Sequence, residues 1–173
     1  PSEEGIDDLL ALLNTPVTPE LAGEYAPDTL IIAVGAEPIV PNIPGIDLPH
    51  VLRALDLYNE GVTVGRRVVF IGGGLVGCEE GLELAVKGHD VTVLEMRENV
   101  AIDAAYLHRE ALLLEIAKHP SKITLLTDTR CKEIVRDGVV AIDKDGVERL
   151  FEADTVIVAT GMRSRADVVD SLR

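Results

Sequence analysis

The spacing of apolar residues changes character along the chain, and the change marks out its elements. From Arg66 the pattern is regular. "RRVVFIGG", 66–73, carries four successive apolar residues over 68–71 and predicts a buried strand. In "LVGCEEGLELAVKG", 75–88, Leu75, Cys78, Leu82 and Ala85 fall on one face of a helix, and Gly88 stands where its end needs a cap. "DVTVLEM", 90–96, predicts a second strand, rich in β-branched residues. "DAAYLHREALLLEIAKH", 103–119, predicts a second helix with Asp103 as its N-cap and Pro120 as its stop. "KITLLTD", 122–128, predicts a third strand. The order βαβαβ implies a parallel sheet with helices on its faces and right-handed crossovers.

The period then shortens. "CKEIVRDGVVAIDKDGVERLF", 131–151, alternates in short runs around Asp137-Gly138 and Asp145-Gly146, which predicts a three-stranded antiparallel meander. "ADTVIVATG", 153–161, predicts one more buried strand, and its text echoes "DTLIIAVG" at 28–35. That earlier copy also predicts a buried strand, over 29–35. Around it the pattern is weaker. "IDDLLALL", 6–13, predicts a short helix, and "NTPVTPELAGEYAPD", 14–28, a turn-rich connector. "AEPIVPNIPGIDLP", 36–49, holds four prolines and predicts an extended linker. "HVLRALDLYNEG", 50–61, predicts a helix closed by Gly61.

Composition narrows the partners. The 173 residues carry a formal net charge of −14, which repels nucleic acid and anionic membrane surfaces. A single anionic ligand held by backbone amides remains compatible, because that contact is local. No apolar run approaches the roughly 20 residues of a membrane helix, and the acidic N-terminus shows no signal-peptide core. Cys78 and Cys131 stand far apart without a CxxC, and the four histidines have no ligand spacing. No metal site and no disulfide framework is expected, and a reducing cytoplasm is the expected compartment.

The candidate chemistry lies between the first predicted strand and helix. Gly72-x-Gly74-x-x-Gly77 matches G-x-G-x-x-G, follows a strand, opens a helix, and is followed about 20 residues on by Glu95 at the end of the next strand. That context turns a weak motif into a dinucleotide fingerprint. Gly72 permits the tight turn, Gly74 lets a pyrophosphate approach the backbone, and Gly77 lets the helix pack on the strand. The amides of Gly74, Leu75 and Val76 are the expected phosphate donors. Glu95 is expected on the adenosine ribose hydroxyls, favouring NAD(H) over NADP(H), with Arg97 as a counter-signal. Glu79 has two readings that the residues do not separate: an acid favoured near a helix N-terminus, or a polar group at the nicotinamide end. Cys78 is expected to be a core residue, and Cys131 to be inert.

The order of these motifs resembles the pyridine-nucleotide domain of two-dinucleotide flavoprotein reductases. "PNIPGIDLPHVLRALDLYNEG" followed by "VGRRVVFIGGGLVGCEEGLELAVKGHDVTVLEM" is most similar to the NADH:flavin oxidoreductases that include 2,4-dienoyl-CoA reductase, 2-enoate reductase and trimethylamine dehydrogenase. The resemblance covers roughly residues 15–170. It implies an α/β fold, a Rossmann-like βαβαβ parallel sheet with a three-stranded antiparallel meander, flanked by crossover strands to an FAD domain that this chain lacks. The crossovers would be "IIAVGAEPIVPNIPG" and "VIVATGMRSRADVV", the first with "AVG" where the family usually has "ATG". The implied domains are an FAD-domain remnant and linker over 1–62, an NAD(H)-binding domain over 63–161, and the start of a return to the FAD domain over 162–173.

The resemblance further implies NAD(H) as cofactor, FAD in the longer parent, and in this branch also FMN and an iron–sulfur cluster in domains outside this chain. Gly161 and Glu79 are then expected near the nicotinamide. The expected function is an NADH-binding domain of a flavin-dependent oxidoreductase of NADH oxidase type, positioning NADH for hydride transfer to FAD. No residue of this chain is an evident acid, base or nucleophile, so catalytic residues are not expected within it. The alternative is a non-catalytic NAD-binding module that senses redox state.

Overall fold

The computed structural model describes residues 12–172. By packing, the chain divides into two compact units, residues 37–163 and residues 1–36 with 164–173.

The larger unit is built on a five-stranded parallel sheet. In chain order it contains β2 (Val51–Arg53), β3 (Arg67–Ile71), α2 (Leu75–Val86), β4 (Asp90–Leu94), α3 (Tyr106–Ile116), β5 (Ile123–Leu126), β6 (Arg130–Val135), β7 (Gly138–Ile142), β8 (Glu148–Glu152) and β9 (Thr155–Val158). The sheet order is β2-β9-β3-β4-β5, with every neighbouring pair parallel. The expected βαβαβ unit, β3-α2-β4-α3-β5, is present. β6, β7 and β8 form the expected antiparallel meander. Its first turn is Arg136–Asp137, and in its second the Asp143 carboxylate accepts the amides of Asp145 and Val147 at 3.0 and 2.9 Å.

Alternation along β3 explains how the sheet is covered. Val68 and Phe70 join α2 and α3 in one core, with Cys78, Leu84, Val93, Leu112 and Ile157. Val69 and Ile71 face the other way and pack with Val156, Ile134, Val139 and Ala141 of the meander side. Strands buried on both faces read as unbroken apolar runs, as "VVFI" and "TVIV" do.

Three expectations are corrected here. "HVLRALDLYNEG" is not one helix: Val51–Arg53 becomes β2 and pairs with Val156–Val158, and only Ala54–Tyr58 coils, as a 3-10 turn. The carboxylate of Asp56 accepts the Arg53 amide at 2.9 Å and closes that turn. α3 begins at Tyr106 behind Ala105, which offers no side-chain cap; Asp103 is engaged elsewhere, as described below. The third correction concerns the smaller unit. There 29–35 forms no strand, and Ile31 is 86% exposed. A β-strand is stable only against a neighbour, and among the described residues none pairs with this segment. The expected connector contains instead a short helix, α1 (Pro19–Tyr25), capped by Thr18, whose hydroxyl accepts the Leu21 amide at 3.2 Å. The helix expected over 6–13 falls largely outside the described residues.

β1 (Ala36–Pro38) and β10 (Met162–Ser164) form a two-stranded sheet where the chain enters and leaves the larger unit. A last helix, α4 (Ala166–Ser171), follows.

Candidate dinucleotide site

The turn between β3 and α2 is shaped by close backbone approaches. Gly72 has φ of 107°, and a Cβ there would lie 2.4 Å from the Ala159 carbonyl oxygen at the end of β9. A Cβ on Gly77 would lie 2.1 Å from the Gly72 carbonyl oxygen, so α2 descends directly onto the turn it leaves. Gly74 is the N-cap of α2, with no side chain to satisfy the first amides of the helix.

Two carboxylates close in on this turn. Glu95, at the end of β4, is 7% exposed. One of its oxygens accepts the Gly73 amide at 2.7 Å and the other accepts the Arg97 amide at 2.9 Å. Its own backbone is held by Leu126 and Thr129, so the acid is fixed at the strand ends. A carboxylate has about four acceptor positions, so lone pairs remain for a further donor. Asp103, on the loop between β4 and α3, accepts the Leu75 amide at 2.8 Å. It caps α2 rather than α3.

A groove of about 500 Å³ opens over this turn. Gly72, Gly74, Val76, Glu95, Asp103 and Gly161 line it, with Met96 and Arg97 beyond Glu95. Pro41 and Ile43 contribute from the linker, and Thr129, Arg130 and Cys131 from the start of the meander. Of the residues expected to bind the cofactor, five therefore share one surface: Gly72, Gly74, Val76, Glu95 and Gly161. Gly77 lies beneath it, buried against the turn. Leu75 offers its amide at the turn, but its side chain packs into the helix-side core. Glu79 does not line the groove; its carboxylate pairs with His108 Nε2 on α3 at 2.9 Å.

The second crossover shows what its threonine does. Thr160 donates its hydroxyl to the Ile39 carbonyl at 2.7 Å, and the Ile39 amide donates to the Gly161 carbonyl at 3.0 Å. The linker is thereby held against the end of β9, which places Pro41 and Ile43 over the groove. Sequence reasoning missed these lining residues. The signal available was general: ligands of open parallel sheets bind beyond the carboxyl ends of the strands, and Thr129 and Thr160 both follow strand ends.

Neither cysteine is activated. Burial, with the charges of Glu95 and Asp103 adding to it, pushes the Cys78 thiol up to about 12. Burial likewise pushes Cys131 up to about 11. Both stay protonated at neutral pH and make poor nucleophiles. Among the described residues no group of His, Cys, Asp or Glu is arranged to hold a metal ion, and no helix is long and apolar enough to cross a membrane.

A parallel sheet, a glycine turn feeding a helix, and a fixed acid at the next strand end define a dinucleotide-binding domain of the Rossmann type. Residues 12–172 match the pyridine nucleotide-disulphide oxidoreductase family, and the chain belongs to it. Membership implies a pyridine nucleotide and a flavin. The chain is 36% identical over 146 residues to an NADH oxidase of Thermoanaerobacter brockii, covering 82% of this chain and 22% of that protein. A bilirubin reductase of Mediterraneibacter gnavus is also 36% identical, over 84% of this chain and 22% of its own length. Among solved structures, a 2-naphthoyl-CoA reductase complex superposes with a TM-score of 0.79 at 32% identity, covering 93% of this chain and 24% of that one. The chain thus spans about a quarter or less of these relatives.

Proposed function

We propose that this chain is the NADH-binding part of a longer flavin-dependent oxidoreductase of the NADH oxidase type, in which it positions NADH for oxidation by an enzyme-bound flavin. The observation that carries the proposal is the groove itself: a turn without a Cβ at Gly74, the N-terminus of α2 behind it, and Glu95 fixed at its far side. These residues fit a dinucleotide. The diphosphate would rest on the Gly74 and Val76 amides, the adenosine ribose would donate to Glu95, and the nicotinamide would lie toward Gly161. The bound nicotinamide supplies a hydride and the flavin accepts it. The residues of this chain bind and orient.

Glu95 favours NADH over NADPH, because its charge repels a 2′-phosphate; Arg97 and Arg130 at the same end temper that preference. Glu79, paired with His108 outside the groove, reaches the nicotinamide end only if that pair opens. The domain pattern follows the same reading: residues 63–161 bind NAD(H), while 1–62 and 162–173 lead from and back to an FAD domain. The similarity to 2-naphthoyl-CoA reductase supports placing the parent in the 2,4-dienoyl-CoA reductase group, with FMN and an iron–sulfur cluster in its other domains, in a cytoplasmic enzyme. A sensing module is less well supported, because the Thr160 clamp has no evident use in one.

The test is anaerobic addition of NADH to the full-length flavoprotein. The flavin absorbance should bleach on mixing. Glu95→Arg should weaken NADH binding about tenfold or more and bring NADPH to comparable affinity, and Gly74→Val should abolish the response. A flavin that NADH leaves oxidised, or a Gly74→Val protein that bleaches normally, would overturn the proposal.

A further inference from the structure

Asp103 presents a problem for any anionic ligand on the glycine turn. Its carboxylate accepts the Leu75 amide, and an ideal Cβ on Gly74 would lie 3.3 and 3.4 Å from its two oxygens. A full negative charge therefore stands beside the amides that would receive a phosphate. The loop that carries it is anchored. Val100 and Ala101 are buried, the Ala101 amide donates to the Gly73 carbonyl at 2.7 Å, and Arg109 Nε donates to the Val100 carbonyl at 2.9 Å. No lysine or arginine forms an ion pair with Asp103 among the described residues.

We propose that Asp103 is a charge discriminator: it stays in place when ligand binds, and selects the diphosphate diester of a dinucleotide against adenine nucleotides that end in a free phosphate. The inference rests on the dinucleotide reading above. Each phosphate of a diester diphosphate carries one negative charge. The terminal phosphate of ADP carries up to one more, and ATP adds another. All share the adenosine that the Glu95 end would take, so without a discriminator abundant ADP and ATP would compete for the groove. Repulsion at close range in a partly enclosed site penalises each added charge about tenfold. The capping bond spares the site the opposite cost, because it leaves the Leu75 amide satisfied.

The experiment measures NADH dissociation constants and the inhibition constants of ADP and ATP on the full-length flavoprotein, for wild type, Asp103→Asn and Asp103→Ala. Asparagine keeps an oxygen for the Leu75 amide and removes the charge; alanine removes both. In Asp103→Asn the ADP-to-NADH ratio of constants should fall about tenfold and the ATP-to-NADH ratio further. Raising salt should shrink the discrimination of the wild type but not that of the variant. A purely structural cap predicts instead that Asp103→Asn behaves as wild type and only Asp103→Ala weakens all ligands together, which would overturn the proposal. Equal tightening of NADH, ADP and ATP in Asp103→Asn would also overturn it, since that is the signature of a carboxylate that leaves when any phosphate arrives. Absence of NADH binding to the wild type would remove the underlying site reading, and the discriminator with it.

Discussion

Two stretches of this chain carry nearly the same text and take different structures. "DTVIVATG", 154–161, holds β9, whose four residues are all buried between β2 and β3. "DTLIIAVG", 28–35, forms no strand, and Leu30 and Ile31 face solvent. Local propensity is the same in both, so it does not decide the outcome. β9 finds a hydrogen-bonding edge on each side and an apolar cover on each face, whereas the earlier copy has no pairing partner among the described residues. An apolar β-branched run states a capacity, and its surroundings decide whether that capacity is used.

Substituting matched positions in the two copies would sharpen or break this comparison. The largest difference is expected at the centre. Ile157 is fully buried, and Ile157→Ala should destabilise the protein by about 2–5 kcal/mol in urea unfolding. Ile31→Ala should change stability by less than about 0.5 kcal/mol. Comparable losses would mean that 29–35 is packed after all. At the next position of interest, Thr160→Val removes the hydroxyl bonded to Ile39 and should cost about 1 kcal/mol. The reciprocal Val34→Thr, which restores "ATG" to the first copy, should be close to neutral by the same measurement.

The smallest difference is expected at the leading acids. Asp154 accepts the Arg67 amide at 2.9 Å, and its carboxylate bonds the Arg67 guanidinium. The Arg67 side chain, with backbone amides assisting, holds the Asp154 carboxyl below the usual carboxylate range. A carboxyl lowered in the folded state contributes stability that is present above its unfolded value, near pH 4, and is lost as pH falls through the folded one. Asp154→Asn should therefore flatten the stability profile below about pH 4 relative to wild type, whereas Asp28→Asn, at an exposed residue, should change stability at neutral pH by less than about 0.5 kcal/mol. Identical acid profiles for Asp154→Asn and wild type would show that the pair is inert.

The parts that could be read in advance are those whose stabilising partners are near in sequence or whose period is strong. β3, α2, β4 and β5 follow from apolar runs and helical spacing, and the meander from its Asp-Gly steps. β2 could not be read, because three residues become a strand only by pairing with β9, about a hundred positions later. Asp103 stands where an N-cap for its own helix belongs, and its text gives no hint that the amide it serves lies 28 residues earlier. The glycine turn and Glu95 were legible because their spacing is itself the signal. Pro41, Ile43 and Cys131 were not, because they reach the groove through the tertiary course of two loops.

The ribbon of β1 and β10 has a practical consequence. Glu37 and Arg163 bracket the larger unit, and their side chains meet at 3.0 Å. A segment that starts and finishes at nearly the same point can be spliced into an exposed turn of an unrelated host without stretching it. Residues 37–163 thus begin and end side by side, which is the geometry that insertion into a host turn requires.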